Sequence, residues 1–270
     1  MPDSTAKESI MNRRNILGRL AAVSTVFALA QFAHAAEPAP ATAAPIKNVV
    51  LVHGLFADGS SWGKVIPLLQ AKGLHVTAVQ NPTTSLADDV AAVRRVLALQ
   101  DGPTVLVAHS YGGMVISEAG TDPKVSALVY IAARAPDAGE DYPALTKKFP
   151  AAPASAGIKW EADGFGALTE EAFVKDFAGD LPPAEARAYY AVQQRMGKPI
   201  TQARTTVAAW RQKPTWYAVS TEDRTINSDL ERFMAKRMGA KTIELKASHV
   251  SLLSQPREVA GLILQAAQVK

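Results

Sequence analysis

The segment from Thr104 to Ile116 is compatible with few backbone paths. An apolar run rich in β-branched residues stops at Ser110, and a helix-like pattern starts directly after it. A strand that turns this sharply into a helix needs small residues two positions before and after the bend, where the chain has Ala108 and Gly112. The pattern predicts a strained turn that presents the Ser110 hydroxyl at the carboxyl edge of a sheet. An ordinary strand and helix joined at an incidental serine is the alternative.

Strand-like and helix-like segments alternate on both sides of this turn. The strand-like runs cover 49–52, 75–79, 105–107, 125–131, 215–219 and 242–245, and helical patterns cover 62–69, 86–99, 114–118, 229–238 and 256–267. This alternation predicts an α/β fold with a doubly wound, mostly parallel sheet that is covered by helices on both faces. Residues 46–270 are then expected to form one domain.

The alternation stops at Arg134 and resumes at Pro214. Helix-like pieces at 169–177 and 182–194 lie between them, without a convincing strand-like run. We expect a helical lid at about 134–213 that covers the carboxyl edge of the sheet, with a second independent domain as the alternative. The aromatic residues that could line a pocket under this lid are Trp160, Phe165, Phe173, Phe177, Tyr189 and Tyr190.

The first 45 residues have the features of an export signal. A pair of arginines, Arg13 and Arg14, precedes an apolar run from Leu20 to Ala30, and an Ala-x-Ala site ends at Ala35. These features predict a twin-arginine-like signal peptide at 1–35, followed by a Pro/Ala-rich tether at 36–45. The expected location is the bacterial periplasm or the exterior. An uncleaved membrane anchor is the alternative, although the run is shorter than the about 20 residues that span a bilayer.

Composition narrows the chemistry. The chain has no cysteine, which excludes disulfides, thiol catalysis and thiolate metal sites. Its net charge of +4 is small, and no run of basic residues is interleaved with aromatic ones, so we expect no nucleic-acid partner. No cluster of histidines and carboxylates has metal-ligand spacing, which disfavours a metallohydrolase.

A serine hydroxyl needs a base within hydrogen-bond reach before it becomes a nucleophile near neutral pH. His109 precedes Ser110 in a strand, so its side chain is expected on the opposite face. His75 begins a strand and is read as structural, and His53 is expected to brace the loop after the first strand. His249 follows the strand at 242–245 at the edge where ligands bind in open α/β sheets, and it is the predicted base.

The base needs an acid that orients it, and the oxyanion needs two backbone donors. Asp223 follows the strand at 215–219 and is the predicted acid, with Glu222 as the runner-up. A solvated acidic loop in which Asp223 pairs with Arg224 is the alternative. The predicted oxyanion donors are the N–H groups of Leu55 and Tyr111.

From about Lys47 onward the chain resembles the α/β-hydrolase superfamily, and more narrowly the small bacterial group similar to plant hydroxynitrile lyases and methylesterases. The segments that carry the resemblance are His53-Gly54 with Gly59 and Trp62, Ala108 to Gly113, Asp122 to Val125 leading to Tyr130-Ile131, Ala135-Pro136, Asp223 to Ile226, and Ser248-His249 with Leu253 to Pro256. The resemblance implies a triad of Ser110, Asp223 and His249 that hydrolyses small-molecule carboxylic esters, or a related acyl bond, without a cofactor.

Two positions distinguish hydrolysis from lyase chemistry within this resemblance. The plant hydroxynitrile lyases have a lysine directly after the catalytic histidine and a threonine after the first strand, where this chain has Val250 and Gly54. The resemblance therefore favours hydrolysis. A cofactor-free haloperoxidase-like or lyase activity on the same triad, or a non-catalytic binding protein of this fold, is the alternative.

Overall fold

A computed structural model describes residues 46–269 of the chain. The predicted signal peptide (1–35) and tether (36–45) lie outside the described residues. Within those residues, no helix combines the length and the apolar character that crossing a bilayer requires.

The described part of the chain contains nine strands. They are β1 (Asn48–Val52), β2 (His75–Val79), β3 (Thr104–His109), β4 (Val125–Ile131), β5 (Ile158–Trp160), β6 (Phe165–Leu168), β7 (Met196–Gly197), β8 (Thr215–Ser220) and β9 (Lys241–Leu245). Six of them form one sheet in the order β2-β1-β3-β4-β8-β9, and every neighbouring pair in it is parallel. The strands β1, β3 and β8 are buried at every position, as expected for strands covered on both faces.

Outside the 134–213 segment, the helices of two or more turns lie where the sequence predicts them, within one or two residues. The helix predicted at 182–194 ends three residues early, at Ala191. The nine α-helical segments within residues 46–269 are α1 (Ile66–Gln70), α2 (Leu86–Ala98), α3 (Gly112–Ala119), α4 (Tyr142–Thr146), α5 (Glu170–Ala172), α6 (Pro183–Ala191), α7 (Ser228–Arg237), α8 (Ser251–Ser254) and α9 (Pro256–Ala267). The helices α1 and α9 pack against each other, and α2 and α3 form a second pair. The predicted doubly wound α/β architecture is confirmed.

The insertion between β4 and β8 differs from the prediction. It contains α4 to α6 and a π-helical turn at Phe173–Phe177, but also an antiparallel sheet in the order β5-β6-β7. The expected helical lid is therefore present, but it also contains a small sheet that the sequence did not indicate. These strands have only three, four and two residues, too few to show the alternation that identifies a strand in a sequence. Lid residues such as Leu168, Phe173 and Phe177 share one hydrophobic core with the six-stranded sheet, which argues against an independent second domain.

Candidate active site

Ser110 lies in a strained turn at the carboxyl end of β3. Its φ is +55°, in the left-handed region that residues other than glycine rarely adopt. The backbone around it is held firmly, because the Ser110 carbonyl accepts from the N–H groups of Gly113 at 3.0 Å and Arg134 at 2.9 Å, and its own N–H donates to Ile131 at 3.1 Å. A Cβ on Gly112 would lie 2.9 Å from the carbonyl oxygens of Val52 and His53. The strained turn predicted from the sequence is present.

The loop after β1 passes very close to this turn. A Cβ on Gly54 would lie 2.6 Å from the Cβ of Ser110, so no larger residue fits there without a shift. The N–H groups of Leu55, which follows Gly54, and Tyr111 donate to no other backbone carbonyl within residues 46–269. Two N–H groups without a backbone acceptor therefore adjoin the turn, one in the loop after β1 and the other directly after Ser110.

The three side chains predicted as a triad meet at the sheet edge. The Ser110 hydroxyl lies 2.8 Å from Nε2 of His249, whose Nδ1 lies 2.5 Å from Oδ2 of Asp223. A carboxylate only accepts, so Nδ1 carries the imidazole proton and Nε2 accepts from the serine hydroxyl. The His249 and Asp223 side chains are fully buried, and Ser110 is 4% exposed.

The loop after β8 fixes the carboxylate. The N–H groups of Thr225 and Ile226 donate to Oδ1 of Asp223 at 2.6 and 2.9 Å, which leaves Oδ2 free for His249. Arg224 turns away and pairs with Asp176 of the lid at 2.7 Å, so the alternative of an Asp223–Arg224 pair was wrong. Glu222, the runner-up, is exposed and lies 3.8 Å from the Lys246 ammonium group.

His109 is closer to the site than strand alternation predicts. Its ring centroid lies 4.7 Å from that of His249, and its Nε2–H donates to the His249 carbonyl at 2.9 Å. The expectation of opposite faces fails because the left-handed φ of Ser110 breaks the alternation at that residue. Burial lowers the pKa of His109 well below its ordinary value, so the ring is neutral and holds the His249 loop. The exclusion of His109 as the base stands, since it makes no hydrogen bond to Ser110.

His53 occupies the predicted bracing position. Its Nδ1–H donates to the carbonyl of Gly54 at 2.8 Å, and burial lowers its pKa. His75 lies at the exposed start of the edge strand β2, away from the site.

Glu231 is a functional candidate that the sequence reasoning missed. It is fully buried on α7, and its Oε2 accepts from the Ser220 N–H at 3.0 Å. Its Oε1 is buried without a hydrogen-bond partner among the described residues. Burial, followed by the neighbouring Asp223 carboxylate, raises the pKa of Glu231 well above its ordinary value. Burial beside a second carboxyl group therefore favours the protonated, neutral form of Glu231. A glutamate beside Leu230 on the apolar face of a helix was the available signal.

The lid contacts the His249 side chain and the loop that carries it. Phe177 lies 5.1 Å from the His249 ring and 6.3 Å from Phe56, measured between centroids. The carboxylate of Asp180 accepts from both the N–H and the hydroxyl of Ser248, the N–H at 2.9 Å. Among the aromatic residues expected to line a pocket, Phe173, Phe177 and Tyr189 line a small apolar cavity beside His109 and Val250. The described residues contain no group of three or more histidines and carboxylates placed to hold a metal ion.

Comparisons with known proteins identify the family and the fold of the chain. A model of the alpha/beta hydrolase family matches residues 49–262. Putative methylesterase 19 of Arabidopsis thaliana is 27% identical, over 82% of this chain and 97% of the plant protein. The pyrethroid hydrolase of Sphingobium wenxiniae is 26% identical, over 81% of this chain and 86% of that protein. The crystal structure of polyneuridine aldehyde esterase superposes with a TM-score of 0.70 at 22% identity, over 82% of this chain and 98% of that one.

These findings confirm the resemblance to plant methylesterases. They also confirm the α/β-hydrolase fold, with a six-stranded parallel sheet and a small antiparallel insertion.

Proposed function

Because the chain belongs to the α/β-hydrolase family, we propose that it is a serine hydrolase that cleaves carboxylic esters through an acyl-enzyme. The observation that carries the proposal is the continuous hydrogen-bonded line from Ser110 through His249 to Asp223, at 2.8 and 2.5 Å. This arrangement activates a hydroxyl that is otherwise a poor nucleophile near neutral pH. The distant relationship to methylesterases and to a pyrethroid hydrolase supports a small-molecule ester as the substrate.

In the proposed mechanism, Ser110 Oγ attacks the ester carbonyl while Nε2 of His249 takes the hydroxyl proton. The tetrahedral intermediate collapses, the bond to the alcohol breaks, and His249 returns its proton to the leaving alkoxide. A water molecule then gives a proton to His249 and attacks the acyl-enzyme, and the second collapse releases the carboxylic acid and restores the serine. Asp223 holds the imidazole in the required tautomer throughout.

The Leu55 and Tyr111 N–H groups are proposed to hold the oxyanion. Their support is that neither has a backbone acceptor within residues 46–269, and that Tyr111 directly precedes α3, where the helix dipole favours negative charge. One such donor is worth about 3 kcal/mol of transition-state stabilisation.

The alternatives lose support in this geometry. A non-catalytic relative would be expected to lack one member of the triad or its alignment, whereas all three are present and in contact. Lyase chemistry on a cyanide-bearing substrate would need a cation beside the base, and the residue after His249 is the buried, uncharged Val250.

Replacing Ser110 with alanine tests the proposal. We expect the turnover number for p-nitrophenyl butyrate to fall by at least about 10⁴-fold in a protein whose circular dichroism is unchanged. Ser60→Ala, at an exposed serine in the same part of the fold, is the control and should keep wild-type turnover. Wild-type turnover in Ser110→Ala would refute the assignment.

A further inference from the structure

Two adjoining cavities lie beside the lid, one against α3 and the other against the loop after β8, and they share Arg134, Tyr142 and Thr146 in their walls. One has a volume of about 240 Å³ and is lined by apolar residues that include Met114, Trp160 and Met196. The other, of about 450 Å³, reaches the loop after β8. Because they share three wall residues, we treat them as one space and name it the Arg134 cleft. Its size falls in the range of small-molecule sites.

The Arg134 cleft adjoins the triad on two sides. Met114 lies on α3 one turn after Ser110, and the Arg134 N–H donates to the Ser110 carbonyl at 2.9 Å. On the other side, Thr225 and Ile226 line the cleft, and their N–H groups hold the Asp223 carboxylate. A ligand in the cleft therefore lies between the elements that position the nucleophile and the acid.

Arg134 has no counter-ion within the described residues. No carboxylate oxygen there lies within 4 Å of its guanidinium group, although most arginines of the lid have such a partner. Its Nε is buried without a hydrogen-bond acceptor, and so is the hydroxyl of Tyr142, whose ring centroid lies 5.1 Å from the guanidinium carbon. Buried donors without acceptors are uncommon, so the protein itself leaves both Arg134 and Tyr142 short of polar partners.

The charge of the cleft points to an anion. Lys147 is a second cation in its wall, and no aspartate or glutamate lines either cavity. Most of the remaining wall is apolar. Guanidinium groups bind carboxylates through two parallel hydrogen bonds, so an apolar molecule that ends in a carboxylate is the complementary ligand.

We propose that the Arg134 cleft binds esters that carry a second, free carboxylate, such as monoesters of dicarboxylic acids. Arg134 holds the free carboxylate, the apolar chain lies in the cleft, and the ester carbonyl reaches Ser110. This inference rests on the proposed function and names a substrate class for it.

Matched monomethyl and dimethyl esters of the dicarboxylic acids from succinate to suberate test this inference. For the best chain length, we expect wild-type KM to be at least about tenfold lower for the monoester than for the diester. Arg134→Met should raise the monoester KM by roughly 10- to 100-fold, as expected for a lost hydrogen bond to a charged group. The diester KM should change by less than about threefold. Arg134→Lys keeps the positive charge but not the planar guanidinium group, so its monoester KM should lie between those of wild type and Arg134→Met.

The outcomes separate the two proposals. If p-nitrophenyl butyrate is hydrolysed but neither dicarboxylate ester is, only the inferred substrate class is refuted; if none of the three is hydrolysed, the proposed function fails. If the diester is hydrolysed and the monoester has no lower KM, only the carboxylate site is refuted; this comparison uses the wild-type protein and does not depend on how a variant folds. Calorimetric titration of suberate into Ser110→Ala gives a second readout, since binding should be measurable and should be lost in Ser110→Ala/Arg134→Met. Equal binding by both proteins would also overturn the inference.

Discussion

At the scale of single residues, Ser110 combines an unfavourable backbone conformation with a chemically useful position. A side chain at φ near +55° costs about 1–3 kcal/mol, and three backbone hydrogen bonds around Ser110 hold it there. The close passage of Gly54 leaves no room for a Cβ beside the hydroxyl-bearing carbon. The same crowding brings the unengaged N–H of Leu55 alongside the turn.

Glu231 yields a prediction about stability and pH. Its carboxyl group has an ordinary pKa of 4.5 and a well-raised pKa in the folded chain. Below about pH 4.5 it is protonated in both states, but above that pH the unfolded chain loses the proton while the folded chain keeps it. The free energy of unfolding therefore falls as pH rises. Glutamine resembles the protonated acid in shape and polarity but does not titrate, so Glu231→Gln should gain stability relative to wild type between pH 5 and pH 8.

Urea unfolding of both proteins at pH 5 and pH 8 measures this difference. Glu222→Gln, at the exposed glutamate directly before Asp223, is the matched control. Its free energy of unfolding should differ from that of wild type by the same amount at both pH values. The charged residues near Glu231 are Asp223 and Arg232, and the neutral titratable ones are Tyr217 and Tyr142. An advantage of Glu231→Gln that does not grow between pH 5 and pH 8 would contradict a raised pKa for this carboxyl group.

At the scale of elements, agreement between sequence and structure follows from element length. The strands β2 and β4 and the helix α9 have the predicted bounds, because each contains enough residues to show its own periodicity. The strands β5 to β7 do not, and they were read as part of a helical lid. His109 was misplaced for a different reason, since strand alternation was extended through a residue with left-handed backbone.

Asp180 of the lid is predicted to fix the loop that carries His249. Its carboxylate accepts two hydrogen bonds from Ser248, directly before His249. We expect Asp180→Ala to lose about 1 kcal/mol of stability and to lower the turnover number several-fold because the His249 loop becomes looser. Asp163→Ala removes a similarly exposed lid carboxylate, which is paired with Arg195 at 2.8 Å, and should leave turnover unchanged. Equal turnover in the two variants would show that the lid does not position the base.

At the scale of the whole molecule, the candidate site is a product of topology. Ser110, Asp223 and His249 follow β3, β8 and β9, and parallel strands place all three carboxyl ends at one edge. The sequence could predict them, because each lies at a strand end with the right chemistry. Glu231, Asp180 and Arg134 could not be found this way, since their roles depend on which side chains pack beside them in three dimensions.

We propose that the chain is exported through its twin arginines, as the first 35 residues predict. Expressed whole in a bacterium, it should be recovered from the periplasm with Ala36 as its first residue. Replacing Arg13 and Arg14 together with lysine should retain the protein in the cytoplasm, because the paired arginines are the recognised feature. Mass spectrometry of the purified chains identifies the first residue. An intact chain starting at Met1, or unchanged export of the double variant, would contradict the proposal.

Covalent labelling by a fluorophosphonate tests the central claim most directly, since the probe reacts only with a hydroxyl that has been activated as a nucleophile. We expect one adduct on wild-type protein, located on Ser110 by peptide mass spectrometry, and strongly slowed labelling when His249 is replaced by glutamine. A protein that is folded but unlabelled, or a label on any residue other than Ser110, would contradict the account.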